Sequence, residues 1–288
     1  MNFRIHCCFV NQQWVMGMLL CFLLGGHLAV ANNDKITKGG ESAAMANTGL
    51  LSQDVFAVFN NQAGLAHITT PTLALYAENR FFLDALSSYT LAAALPTKSG
   101  NFGIGLNYYG NPAYNESVFS IAYGRLLSKQ LSIGTTIDLQ NIVVEGYGNS
   151  RLLTFGFGAQ YTLNDRLKIG GHVYNPIHTQ ASDNTNKPYV PTIMRLGIAY
   201  YPAKNNATSI TLEAEKNIVE KPMVKVGFSH LIAEKIAIRA GVASNSALFL
   251  FGIAYQTQQF HVDIATSYHS VLGYSPHMSL VYQLGQRK

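Results

Sequence analysis

Residues 101–109 read Asn-Phe-Gly-Ile-Gly-Leu-Asn-Tyr-Tyr, and their spacing decides the fold class. Phe102, Ile104, Leu106 and Tyr108 recur at every second position, with Gly103, Gly105 and Asn107 between them. Successive side chains of an extended chain point to opposite faces, so this stretch is a strand with one oily face and one small or polar face. An amphipathic helix would repeat its apolar positions every three or four residues instead. The pattern returns in Leu153, Phe155, Phe157, Ala159 and Tyr161, set against Thr154, Gly156, Gly158 and Gln160.

Working outward from these two stretches, the chain reads as about fourteen strands. They begin near Leu73, Ser88, Asn101, Ser117, Leu131, Arg151, Leu167, Thr192, Ser209, Met223, Ile236, Ala247, Phe260 and His277. Each approaches the roughly 9 to 11 residues that a tilted membrane strand needs. After the N-terminal leader, no apolar run nears the roughly 18 residues of a membrane helix.

The polar residues follow the same parity. Arg195, Glu213, Glu215, Lys225, Arg239 and Asp263 all alternate with the large apolar side chains, as in Met194, Leu196, Ile198 and Tyr200 around Arg195. A Lys or Arg on a lipid-facing surface near the midplane costs roughly 2 to 4 kcal/mol, so these charges are expected to face a lumen. There they either pair across neighbouring strands or form a polar constriction that guides a solute. Hydrocarbon offers backbone groups no water, and only a closed sheet satisfies every N–H and C=O without leaving an edge. The expected fold is therefore all-β: a transmembrane antiparallel β-barrel over residues 71–288.

Composition agrees. The 288 residues are 48% hydrophobic and 12% charged, against roughly 25% charged in soluble domains. The net charge of +5 comes from basic residues scattered singly, often at turns such as Lys98, Lys129, Arg166, Lys204 and Lys235. A nucleic-acid site needs them clustered, and no such partner is expected. Turns after even strands are short (127–130, 163–166, 232–235 and 256–259), and connections after odd strands are longer, most clearly 175–190. That asymmetry matches the periplasmic and extracellular ends of an outer-membrane barrel.

The first 31 residues read as a signal peptide cut after Ala31: Arg4 precedes the apolar run Val15–Val30, which ends in the small-residue pattern Ala29-Val30-Ala31. All three cysteines (Cys7, Cys8 and Cys21) lie in this leader, so the mature chain is expected to hold no disulfide and no thiolate metal site.

Residues 32–70 precede the first strand. Within them, Gly39–Ala66 carries a small-residue start, then Asp54, Phe56, Phe59 and Asn61-Gln62-Ala63-Gly64-Leu65-Ala66. This segment resembles the N-terminal signature of FadL-like barrels, particularly the PorV/PorQ branch of Bacteroidetes-type bacteria. Gln62 stands where that signature usually has proline. The resemblance implies an outer-membrane barrel with a short N-terminal hatch inside the lumen. It further implies passage of small, hydrophobic molecules, or a role beside secretion-system proteins of type IX export.

No motif of chemistry competes. Gly103-Ile104-Gly105 and Gly156-Phe157-Gly158 lack the strand-to-helix context of a nucleotide loop. No serine sits in a nucleophile elbow. His261 and Asp263 share a strand face, but solvated pore lining accounts for them without a metal. The expectation is no enzyme, no cofactor, and outer-membrane lipid as the surrounding partner. The alternatives are a non-conducting barrel scaffold and a secreted soluble β-sandwich or adhesin.

Overall fold

The computed structural model describes residues 37–177, 190–202, 207–244 and 248–285. The leader, Lys204, most of the 175–190 connection and the last three residues lie outside them.

Fourteen strands form one closed antiparallel barrel. In chain order they are β1 Thr72–Asn79, β2 Ser87–Thr97, β3 Gly100–Gly110, β4 Tyr114–Leu126, β5 Leu131–Val144, β6 Gly148–Asn164 and β7 Leu167–Tyr174. There follow β8 Ile193–Tyr200, β9 Thr208–Asn217, β10 Met223–Ala233, β11 Ile236–Ala243, β12 Leu248–Gln256, β13 Phe260–His269 and β14 Gly273–Gln283. Each strand pairs with its sequence neighbours, and β1 closes the ring on β14 from Thr72↔Gln283 to Glu78↔His277.

The strand starts match the sequence expectation except at one rim. β4, β6 and β14 begin at Tyr114, Gly148 and Gly273 rather than at Ser117, Arg151 and His277. All three starts lie at the end away from the short turns, where the strands outrun the apolar belt and alternation fades. Pro276 adds to the difference in β14, because it has no N–H to give the ladder. The turn asymmetry is only partial: the connections after β3, β5 and β13 are three residues each, as short as the turns of the other rim, and seven residues, 201–207, separate β8 from β9.

The outward face is apolar by parity. Leu75, Leu196, Ile253 and Ile264 are 55%, 68%, 62% and 63% exposed, values that in water would be costly for so continuous a surface. Aromatics gird both ends: Phe102 meets Tyr123 (5.1 Å) and Phe260 meets Tyr282 (4.8 Å) near the short-turn rim, and Tyr268 meets Tyr274 (4.9 Å) near the other. Among the described residues, the strand Lys, Arg, Asp or Glu side chains that point outward are Arg125, Arg151 and Lys216, all close to strand ends.

The bore is filled by the N-terminal segment. It carries two short helices, α1 (Gly40–Ala44) and α2 (Ala57–Asn60), and a 3-10 turn at Gln62–His67. Helices this short are unstable alone, so their conformation depends on the wall around them. Val55, Phe56, Val58, Phe59 and Leu65 pack on Ala74, Tyr76, Ala92, Ala94, Ala122 and Val281, which line the bore on β1, β2, β4 and β14.

Candidate lumenal site

Small wall residues let the segment fit. A Cβ placed on Gly124 or Gly134 would overlap the Gln62 backbone, and one on Gly241 would overlap the Ala46 backbone. The wall is glycine there because main chain presses on main chain. Gly103 and Gly105 make room in the same way for Val58, Leu65 and Phe59. Gly158 likewise admits the Asn61 side chain, so glycines that superficially suggested a nucleotide loop shape the bore.

Polar groups then tie the segment down. Asn101 Nδ2 donates to the Leu65 and Ile68 carbonyls (2.6 and 2.7 Å). Gln160 Nε2 donates to Leu50 O and Ser52 O (3.0 and 3.2 Å), and Lys168 Nζ donates to Gln53 Oε1 (3.1 Å). Asn61 to Leu65 of the motif are all buried, and Ala66 is half-buried. Asn61 Nδ2 donates to Leu50 O (2.8 Å), and Asn61 Oδ1 accepts from the Ala63 N–H (3.2 Å). Gln62 Nε2 donates to Val58 O (2.9 Å), and its Oε1 lies 3.2 Å from His172 Nε2. Where the signature has proline, this chain therefore gains a side-chain contact to the wall. A Cβ on Gly64 would overlap Ser52 O, and Ala63 and Leu65 are enclosed completely.

The six charges picked out by parity all face inward and are buried, and they fall into two groups. On β8–β10, Glu215 accepts from Arg195 Nε (2.6 Å) and Lys225 Nζ (2.7 Å), and Glu213 lies 3.6 Å from Lys225 and 3.9 Å from Arg195. Glu213 Oε2 also accepts the Leu50 N–H (3.1 Å), which joins this quartet to the hatch. On β11–β13, Arg239 pairs with Asp263 and reaches Glu41 of α1 (3.0 Å). Asp263 additionally accepts from Ser279 Oγ (2.8 Å) and sits 3.2 Å from His261 Nε2. Each acid thus has a cation beside it, as burial demands. Asp54, in the hatch, has its carboxyl pushed up to about 6, first by burial and then by the nearby Glu41 charge.

Sequence reading missed several inward groups. Glu78, Glu116 and Asp138 obey the same parity and were legible from it; Glu78 holds Arg80 Nε at 2.8 Å, and Gln140 Nε2 donates to Glu116 at 3.2 Å. The Tyr76 hydroxyl lies 2.8 Å from His277 Nδ1, whose other nitrogen is 3.1 Å from Ser267 Oγ. Glu41 carries no periodic signal, because it lies on a five-residue helix. Toward the loop rim, the inner wall turns apolar: Ile142, Leu152, Tyr174 and Ile193 form a buried cluster closed by Val190.

No family model matches the sequence, and neither does any curated protein. Solved structures do resemble the fold. The Ralstonia pickettii toluene transporter TbuX superposes with a TM-score of 0.68 at 12% identity, over 88% of this chain and 100% of the transporter. The barrel is FadL-like in fold. A Pseudomonas aeruginosa FadL homologue gives 0.64 at 13% identity, covering 86% of this chain and 99% of that one. The Pseudomonas putida toluene transporter TodX gives 0.63 at 11% identity, with 88% and 100% covered. At such identities the likeness concerns architecture.

Proposed function

We propose that this chain is an outer-membrane protein, exported after cleavage at Ala31, that lets small hydrophobic molecules pass down their gradient. The observation that carries the reading is the buried apolar cluster of Ile142, Leu152, Tyr174, Val190 and Ile193. It is inner wall at the loop rim built of large apolar side chains, where the wall against the hatch offers alanines, glycines and polar groups, and it would line the path of an apolar solute without stranding hydrogen-bonding partners. Similarity in fold to toluene transporters supports the same solute class.

In this reading the loop rim faces the exterior, and residues 32–70 are a hatch that must yield for a solute to pass. Arg195, Glu213, Glu215, Lys225, Arg239 and Asp263 act as its fasteners rather than as a constriction, because both groups touch hatch residues (Leu50 and Glu41).

The test is uptake of an apolar fluorophore by cells with an intact outer leaflet, compared with cells carrying empty vector. Faster uptake is expected, together with no steady ion current from the purified protein in planar bilayers. Equal uptake in both cell types, with a heat-modifiable barrel present in the outer membrane, would end this reading. The Asn61–Ala66 motif favours a second one, an accessory of type IX secretion. Stable co-purification of secretion components, without solute uptake, would select it.

A further inference from the structure

Three of the polar side chains on the outer wall form a row. Ser117, Asn141 and Arg151 point outward from β4, β5 and β6, and the register sets Ser117 opposite Asn141 and Asn141 opposite Arg151. Directly opposed residues hold their Cβ atoms about 4.5–5.5 Å apart, so the three form one row. Other outward hydroxyls turn back onto the sheet: Thr135 donates to Gly156 O (3.0 Å) and Thr266 to Ser275 O (3.4 Å). Among the described residues, no side-chain partner satisfies Ser117, Asn141 or Arg151, and Asn141 Oδ1 is closed off from solvent without a donor.

Beside this row the outer wall is hollowed. Leu75, Tyr89, Leu91, Leu106, Phe119 and Leu139 line an apolar depression that Ser117 and Asn141 border. Its lining is mostly outward-facing, so it lies against acyl chains rather than in the bore. The climb along β6 from Tyr161 to Arg151, at about 3.3 Å per residue and a tilt of roughly 40°, is about 25 Å, the height of the apolar band of such barrels. The guanidinium therefore stands where lipid headgroups begin.

We propose that this wall binds a phosphate-bearing, acylated lipid of the outer leaflet. Its chains occupy the hollow, its phosphate takes the guanidinium fork of Arg151, and its ester oxygens accept from Asn141 Nδ2 and Ser117 Oγ. Arginine suits this role because its planar donors match phosphate oxygens in pairs. The assignment rests on the loop rim being the exterior one, but its readout is independent of solute uptake.

Native mass spectrometry of the purified full barrel tests it, with dipalmitoyl phosphatidic acid, dipalmitoylglycerol and inorganic phosphate as probes. Phosphatidic acid is expected to be retained at one per barrel, about tenfold more than the diacylglycerol, the scale of a lost charge-assisted hydrogen bond. Arg151→Gln should bring phosphatidic acid down to the diacylglycerol level, and Phe119→Ala should weaken both lipids. Lys216→Gln, at another outward rim cation, should change neither. Equal retention of the two lipids by the unaltered protein would overturn the proposal. So would undiminished retention by Arg151→Gln, an equal loss in Lys216→Gln, or inorganic phosphate binding as well as the lipid.

Discussion

The hatch meets two unlike flanks of the bore. Along β3–β6 it is held by shape and neutral amides: Gly103, Gly124 and Gly134 admit it, and Asn101 and Gln160 bind its carbonyls. Along β8–β13 glycines still make room, but charge does the fastening, through the Arg195–Glu213–Glu215–Lys225 quartet and the Arg239–Asp263–Glu41 chain. A neutral close-packed contact is insensitive to pH and intolerant of volume. A paired charge tolerates small displacements but depends on its partner keeping its ionisation. The two flanks therefore divide the work: one sets where the hatch sits, and the other provides contacts that protonation or motion can weaken.

The largest break in that comparison comes from the quartet. Lys225→Met leaves Glu213 and Glu215 to share Arg195 inside a dry wall, and losing one partner of a buried pair costs about 3–5 kcal/mol. The midpoint of heat-modifiable unfolding in detergent should fall accordingly. Glu213→Gln added to Lys225→Met restores neutrality and should recover more than half of the loss, a coupling that a double-mutant cycle reads directly. If the double variant is as unstable as the sum of the singles, the quartet is not a coupled unit.

On the opposite flank, Gly134→Val forces methyl groups against the Gln62 backbone, and overpacking of this kind costs roughly 1–3 kcal/mol. The hatch, not the barrel, should take the strain. Limited proteolysis is expected to cut within residues 37–67 while the barrel keeps its heat-modifiable mobility. An intact hatch with a destabilised barrel would show that the segment does not depend on Gly134.

What the sequence disclosed follows from which signals are periodic. Strand number and facing were legible because lipid imposes alternation; Met194, Leu196 and Tyr200 against Arg195 carry that signal unaided. The loop-rim extensions of β4, β6 and β14 lie beyond the belt, so nothing enforces alternation there. The six lumenal charges were legible by parity, but their partners were not, since pairing depends on register: Arg195↔Glu215 and Glu213↔Lys225 are cross-strand neighbours. Glu41 and Leu50 escaped altogether, because the hatch is irregular chain whose contacts are long-range. That Gly124, Gly134 and Gly241 admit main chain is visible only once the hatch backbone is in place.

A smaller effect separates the flanks by pH. Asp54 has its carboxyl raised to about 6 from the ordinary 3.8, so the folded state holds this proton more tightly than the unfolded chain. Such a group stabilises below the unfolded value, and that contribution is lost as pH rises from about 4 to about 6. Hydrogen exchange at residues 54–59 should therefore be slower near pH 5 than near pH 7, after correction for the intrinsic rate. Asp54→Asn keeps the oxygen that accepts the Phe56 N–H (2.8 Å) and should remove the difference. A pH dependence that survives in Asp54→Asn would assign it to other carboxyls, Glu41 and Asp263 among them, whose charges act on Asp54.

The smallest effect is expected at Glu41, and its size is informative because its partner is the same Arg239 that holds Asp263. The Glu41 side chain is 42% exposed while those of Arg239 and Asp263 are 5% and 4% exposed. Solvent screens the first pair, so Glu41→Gln should cost at most about 1 kcal/mol, whereas the enclosed pair to Asp263 keeps the barrel wall satisfied. The barrel midpoint should hardly move, and exchange protection of α1 alone should fall. High salt should reproduce most of that loss in the unaltered protein, because a half-exposed pair lies within reach of counterions. If Glu41→Gln instead lowered the barrel midpoint as much as Lys225→Met, the hatch would be structural cement on both flanks, and the charged one could not serve as its releasable side.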